Sequence, residues 1–271
     1  AALDVVFPLL HGPRGEDGSV QGLLELADVA YVGAGIAASA VGMDKELARA
    51  VFAQAGLRQT DYLVIRRSAW NVDRQGTIED IEAKLRYPLF VKPVNLGSSI
   101  GISKVHDTQS LESAIVLAAR YDLKIMVEAS VENARELECA VLGNDEPKAS
   151  VIGEIIPGAE FYDYTTKYID DRSQLIVPAE LPESISAEIK RMSVDAFRSI
   201  DGAGLGRVDF LMTSSGKIFL NEINTMPGFT PISMYPRLWQ ASGIAYPALI
   251  DELIQLALAR HRETRQVSLD R

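Results

Sequence analysis

The chain has 271 residues, 47% of them hydrophobic and 24% charged, which is the profile of a folded globular protein of one large domain or two to three small ones. A formal charge of −10 argues against nucleic acid or an anionic membrane as the main partner, since both reward a basic surface. Cys139 is the sole cysteine, which excludes an internal disulfide and a cysteine-rich metal site, and no apolar run approaches the roughly 20 residues that span a bilayer.

The chain opens on Leu3-Asp-Val-Val-Phe-Pro8, a strand pattern that stays apolar to Leu10 and reads as buried, with no basic leader region before it. His11-Gly-Pro-Arg-Gly-Glu-Asp-Gly18 is a glycine-rich turn, and Ser19 to Leu26 reads as a helix. Strand, turn and helix in that order suit the tail of an open α/β domain. A buried strand needs neighbours on both sides for its backbone groups, so further strands are expected upstream of Ala1. The expected compartment is the cytoplasm.

After Tyr31-Val-Gly33 the pattern restarts with a helix over Asp44–Ala55, stopped by Gly56, and a strand at Tyr62–Arg66. Thr77-Ile-Glu-Asp80 resembles a capping box opening a helix that ends before Tyr87-Pro88. A strand at Leu89–Lys92, a glycine loop, a strand near Ile102–Val105, a helix over Asp107–Arg120 and a strand at Lys124–Glu128 follow. Further strands lie near 136–142 and 150–156, a polar loop covers 158–173, and a helix covers 184–200. A β-hairpin spans 206–224, one or two helices follow, and Arg262 to Arg271 are expected to fray. Cys139 falls in an alternating strand and reads as buried rather than nucleophilic. Strands and helices interleaved throughout predict an α/β or α+β fold.

The hairpin carries chemistry. A two-residue loop at Ser215-Gly216, or a four-residue one, places Asp209 opposite Glu222 and Arg207 opposite Asn224, with all four side chains on one face. Val208, Phe210, Met212, Phe219 and Ile223 would then point to the other face. Facing carboxylates about 5 Å apart repel unless neutralised, and Asp, Glu and Asn oxygens suit a hard cation such as Mg²⁺. The competing reading is an exposed edge hairpin whose charges face water, and a three-residue loop would break the pairing.

Two other segments suit phosphate. Phe90-Val-Lys-Pro-Val-Asn-Leu-Gly-Ser-Ser-Ile-Gly101 ends a strand on a lysine and then offers glycine-freed N–H groups and hydroxyls. It is not a Walker P-loop, because the lysine precedes the glycines. Lys92 sits among apolar residues and needs a partner there. Glu160-Phe-Tyr-Asp-Tyr-Thr-Thr-Lys-Tyr-Ile-Asp-Asp171 alternates aromatics with charges, as an ordered loop or a solvated hairpin would.

Lys92-Pro…Gly97-Ser-Ser-Ile-Gly101, Phe161-Tyr-Asp-Tyr-Thr-Thr-Lys-Tyr168, Gly206-Arg-Val-Asp209 and Asn221-Glu-Ile-Asn-Thr-Met-Pro-Gly-Phe-Thr230 occur in an order that resembles the D-alanine–D-alanine ligases. His11-Gly-x-x-Gly-Glu-Asp-Gly18 is similar to that family's N-terminal signature, and the likeness runs from about Leu3 to Ala259. The resemblance implies an ATP-grasp fold, two α+β subdomains holding ATP between their sheets. Residues 1–40 would be the remainder of an α/β N-terminal domain, 41–130 the central subdomain, and 131–265 the C-terminal subdomain with a lid loop and metal site.

By the same resemblance Asp209, Glu222 and Asn224 bind two Mg²⁺ ions, for which Mn²⁺ is an alternative. Lys45, Lys92 and Lys167 contact ATP phosphates, with Ser98, Ser99, Phe161 and Asn221 completing the nucleotide contacts. Backbone groups at Glu128, Ala129 and Val131 form the adenine hinge, and Glu136 holds the ribose. His11, Ser98, Tyr168, Arg207, Gly228, Ser233 and Met234 surround the two D-alanines, Arg207 and the Gly228 N–H stabilising the oxyanion and Tyr168 closing the lid. The implied reaction makes D-alanyl-D-alanine for peptidoglycan through an acyl phosphate, and the implied assembly is a homodimer. The family's first motif, whose Glu anchors the ammonium of the first D-alanine, is absent. The alternatives are a D-alanine–D-lactate ligase, against which Lys167-Tyr168 argues, and a nucleotide-binding fragment without full ligase activity.

Overall fold

The computed structural model of the chain describes residues 3–97, 99–156 and 174–267. Its elements are β1 (Val5–Val6), α1 (Ser19–Leu26), β2 (Ala30–Tyr31), α2 (Ile36–Met43), α3 (Lys45–Gln54), β3 (Tyr62–Arg66), α4 (Arg67–Val72), α5 (Arg74–Lys84), β4 (Leu89–Pro93), β5 (Ser103–Val105), α6 (Thr108–Ala118) and β6 (Lys124–Ala129). They continue with β7 (Arg135–Gly143), β8 (Lys148–Ile156), β9 (Gln174–Ile176), α7 (Glu183–Ser199), β10 (Gly204–Met212), β11 (Ile218–Asn224), α8 (Met234–Ala241) and α9 (Tyr246–Thr264).

Two antiparallel sheets organise these elements, one in the order β3-β6-β4-β5 and the other β11-β10-β7-β8-β9. Among the described residues, only the small β1–β2 pair is parallel. The fold is therefore the α+β form of the two classes expected. In the four-stranded sheet Ile65, Leu89, Val91, Ile125 and Val127 pack with Trp70, Ile81, Leu111 and Ile115 of α4, α5 and α6. Alternation sends Phe90, Lys92, Met126 and Glu128 to the opposite face.

The five-stranded sheet is covered on both faces. Leu137, Cys139, Val141, Val208 and Phe210 meet α3 and α7, while Ala140, Leu142 and Leu205 meet α8 and α9. The second face changes character along its length. Continuing the same alternation past Ala140 and Leu205 brings Glu138, Glu136, Arg207 and Asp209 to it. One end of that face is thus core and the other is polar.

Several expectations are corrected. Leu3–Leu10 is no buried strand: only Val5 and Val6 pair, on one side, and Leu3, Leu9 and Leu10 are exposed. The helix expected to open at Thr77 begins earlier, because Asp73 caps it by accepting from the Gly76 N–H. Helices α2 and α4 were not foreseen, and α9 continues through Arg262 to Thr264. Phe219 lies on the face opposite to the one expected. Residues 212 to 218 turn through a three-residue loop, and a bulge then opens between Asp209 and Phe210, against Leu220–Glu222. The extra residue, Asn221, reverses the parity, so Ile218 and Leu220 fill the core while Lys217 lies over the half-buried Phe219 ring at 4.7 Å.

Candidate active site

The bulge also decides the site. A three-residue loop alone would set Asp209 against Asn221, and the inserted residue restores Asp209↔Glu222 and Arg207↔Asn224. The partner strand β7 adds Glu138 directly opposite Asp209 on the other side. Glu138, Asp209 and Glu222 therefore form a row across three strands.

Arg207 holds that row together. Its Nε and Nη2 donate to the two Asp209 carboxylate oxygens, each at 2.7 Å, and Nε also lies 3.0 Å from Glu138 Oε2. Asn224 Nδ2 donates to Asp209 Oδ2 at 3.0 Å. Burial works against the Arg207 charge, but Asp209 and Glu138 more than offset it and hold its pKa well above the ordinary arginine value. Among the described residues no group of three or more His, Cys, Asp and Glu side chains is arranged to hold a metal ion by itself. Asp209, Glu222 and Asn224 nevertheless supply adjacent hard oxygen donors, the kind Mg²⁺ uses alongside waters and substrate phosphates. The donor set fits, on condition that Asp209 yields oxygen now taken by Arg207.

Lys45 reaches the same row from α3. Its Nζ lies 3.6 Å from Glu222 Oε2 and donates to the Leu96 carbonyl in the glycine loop at 2.7 Å. Asp44 fixes the start of that helix, since Oδ1 accepts from the N–H groups of Glu46 and Leu47 while Oδ2 pairs with Lys124 on β6. The glycine loop is anchored by Asp122 Oδ2, which accepts both the Asn95 backbone N–H at 2.7 Å and its side-chain amide at 3.0 Å. Ser99 and Gly101 within it have positive φ, and a Cβ on Gly101 would come within 2.8 Å of the Tyr121 ring.

Lys92 and Glu128 stand side by side, both buried, on the face of the four-stranded sheet away from α4, α5 and α6, Nζ to Oε1 at 2.5 Å. The other oxygen, Oε2, accepts from Arg49 and from the Thr60 hydroxyl at 3.3 Å. Burial pushes the Lys92 ammonium down in pKa, with Glu128 opposing. Burial would raise Glu128, yet Lys92 and Arg49 prevail and keep it below the usual glutamate value.

Of the residues expected at the adenine hinge, Glu128 and Ala129 end β6, the Ala129 N–H is already engaged by the Asp61 carbonyl at 2.9 Å, and Val131 lies half-buried just beyond, as does Glu136 on β7.

On the opposite side, His11 Nδ1 lies 3.0 Å from the Met226 carbonyl, tying the first glycine turn to the segment after β11. Gly228 lies close by in that segment, against the Ser233 hydroxyl, which bonds both the N–H and the hydroxyl of Thr230. Met234 is buried against Gly153 in the core beneath. Asn221 is half-buried in the bulge. Ser98, Phe161, Lys167 and Tyr168 lie outside the described residues.

The structure thus brings Lys45, Lys92, Glu128, Arg207, Asp209, Glu222 and Asn224 around two polar sheet faces. It adds three charged residues that sequence reasoning missed. Glu138 was hidden because its strand partner is distant in sequence. Arg49 was hidden because the Glu128 it meets lies on a strand distant in sequence from α3. Glu16 lies within the quoted glycine turn. Burial raises its pKa, the Gly12 N–H donating to it at 2.5 Å acts the other way, and charges on His11, Glu222 and Arg207 act on it as well.

A sequence model described as "D-ala D-ala ligase C-terminus" matches residues 51–255, and one described as "D-ala D-ala ligase N-terminus" matches residues 1–34. The chain is 54% identical over 266 residues to the D-alanine–D-alanine ligase of Bacillus cytotoxicus, covering 98% of this chain and 73% of the relative. It is 55% identical over 262 residues to that of Acetivibrio thermocellus, covering 96% and 69%. The solved D-alanine–D-alanine ligase from Coxiella burnetii superimposes with a TM-score of 0.87 at 41% identity, covering 98% of this chain and 71% of that one. The VanG D-Ala:D-Ser ligase from Enterococcus faecalis does so with 0.86 at 39%, covering 95% and 74%.

Proposed function

The chain belongs to the D-alanine–D-alanine ligase family, and from that membership we propose that it joins two D-alanines into D-alanyl-D-alanine at the expense of ATP. The observation that carries the reading is the row Glu138–Asp209–Glu222 with Arg207 across it, facing Lys45 and Lys92. Residues 41–130 and 131–265 act as the two ATP-grasp subdomains, with α3 packed on the sheet of the second. ATP lies between the two polar sheet faces. Its phosphates meet Lys45, Lys92, Lys167 and the Ser98-Ser99 loop, its adenine meets Glu128, Ala129, Val131 and Phe161, and its ribose meets Glu136.

The carboxylate of the first D-alanine attacks the γ-phosphorus, ADP leaves, and an acyl phosphate forms. The amine of the second D-alanine then attacks the carbonyl carbon, inorganic phosphate departs with the C–O bonding pair, and the ammonium loses a proton. Arg207 and the Gly228 N–H stabilise the developing oxyanion. Lysines spread the charge of the transferring phosphoryl group. His11, Ser233 and Met234 border the amino-acid site, and Tyr168 with Ser98 excludes water from the acyl phosphate. Asp209, Glu222 and Asn224 would hold Mg²⁺, which neutralises phosphate charge when bound, and Asn221 adds a nucleotide contact. The protein acts in the cytoplasm as a homodimer in cell-wall synthesis.

Phosphate release and dipeptide formation should be measured with D-alanine alone and with D-lactate or D-serine added. D-alanine-dependent phosphate release with equal dipeptide is the expected result, and depsipeptide or D-alanyl-D-serine as the main product would reassign the second substrate. No nucleotide binding at all would overturn the reading.

A further inference from the structure

Arg49 is 2% exposed, among the largest fully buried side chains of the described residues, and no step above uses it. It lies one helical turn after Lys45 on α3, and its Nη1 donates to the Thr60 carbonyl at 3.1 Å and hydroxyl at 3.0 Å. Its Nη2 pairs with Glu128 Oε2, and its guanidinium lies 4.9 Å from the centre of the Tyr62 ring. Glu128 therefore serves two cations at once, Arg49 on one oxygen and Lys92 on the other. Lys45 stands beside them, paired with Glu222, so Lys92 shares Glu128 with Arg49 in a buried place.

A buried ammonium that shares its carboxylate with a second cation is stabilised further when an anion arrives. We propose that Arg49 is a positioning residue for the nucleotide: by occupying Glu128 Oε2 it leaves Lys92 only half neutralised, so that the phosphates of the bound nucleotide complete the charge balance. The proposal rests on the reading of Lys92 as a phosphate contact. Arg49 itself touches no ligand. It acts through Glu128, and its side chain is locked from both ends by Thr60 and Tyr62.

The test compares ADP with adenosine, which share the base and ribose and differ in the phosphates. Binding of each to the 271-residue chain is measured by calorimetry for wild type, Arg49→Met, Arg49→Gln and Arg49→Lys, with thermal unfolding of each. Arg49→Gln removes the charge and keeps a polar amide on a shorter side chain, so it carries the test if Arg49→Met fails to fold. In Arg49→Gln, ADP affinity is expected to fall about tenfold or more, while adenosine affinity stays within about threefold. Arg49→Lys, which restores the charge, should recover most of the ADP affinity. Unchanged ADP binding in Arg49→Gln, or equal losses for ADP and adenosine, would overturn the proposal, the second outcome reducing Arg49 to wall support. A wild-type chain that binds no adenine nucleotide would overturn the functional reading itself.

Discussion

Replacing Arg207 with methionine removes the guanidinium that spans Glu138 and Asp209 and leaves Glu138, Asp209 and Glu222 in register across three strands. At about 5 Å and an effective dielectric of about 20, each adjacent pair repels by about 3 kcal/mol. The row relieves this by taking up a proton, so the net loss at pH 8 should be about 2–4 kcal/mol. The sign with pH follows from that proton. Without Arg207 the folded protein holds a raised carboxylate pKa, binds more protons than the unfolded chain, and regains stability as pH falls through the raised value. Urea unfolding of wild type and Arg207→Met at pH 8 and pH 5.5 reads this out, and the gap should narrow at pH 5.5 by at least about 1 kcal/mol. Mg²⁺ at pH 8 should narrow it as well, because an ion that binds only the folded row stabilises it. An equal loss at both pH values, untouched by Mg²⁺, would show that Arg207 contributes packing and hydrogen bonds but does not neutralise the row.

Glu222→Gln should lower phosphoryl transfer by about a hundredfold or more while leaving the fold intact, and near-normal turnover would remove Glu222 from the metal site. Tyr168→Ala should release phosphate without an equivalent of dipeptide, since an acyl phosphate open to water is hydrolysed; matched yields would count against a lid role. Glu128 is held below its ordinary value of 4.5, against burial, by Lys92 and Arg49, so its ion pairs stabilise the fold above the unfolded pKa and are lost as pH falls through the folded one. Glu128→Gln should therefore flatten the acid limb of the stability profile measured by urea unfolding, and an unchanged limb would show that the pairs contribute nothing net.

What could be read from the sequence followed the distance over which each signal acts. Helices α1, α3 and α6 and the strands of the four-stranded sheet announced themselves through local periodicity and caps, Asp107 among them. The pairing of Asp209 with Glu222 was anticipated, but for a loop length the chain does not have. A three-residue loop and a bulge compensate for each other, and only the misplaced Phe219 reveals the difference. Glu138 joins the acidic row through a strand some seventy positions earlier, a relation no local pattern encodes. Leu3–Leu10 looked buried because apolar runs usually are, whereas here one two-residue partner strand is all that pairs with it among the described residues.

Helix α3 shows how one short sequence serves both sheets. Ala48 and Phe52, four apart, face the core of the five-stranded sheet, while Lys45 and Arg49, also four apart, point to its polar side and to the four-stranded sheet. The helix is fixed at its start by Asp44, whose second oxygen pairs with Lys124 on β6. A shift of α3 by one residue would turn both stripes by about 100° and bring Arg49 toward the apolar core. The cations beside Glu128 and Glu222 are thus set by the same contacts that bury Phe52. The placement of those cations and the packing of the five-stranded sheet depend on one register.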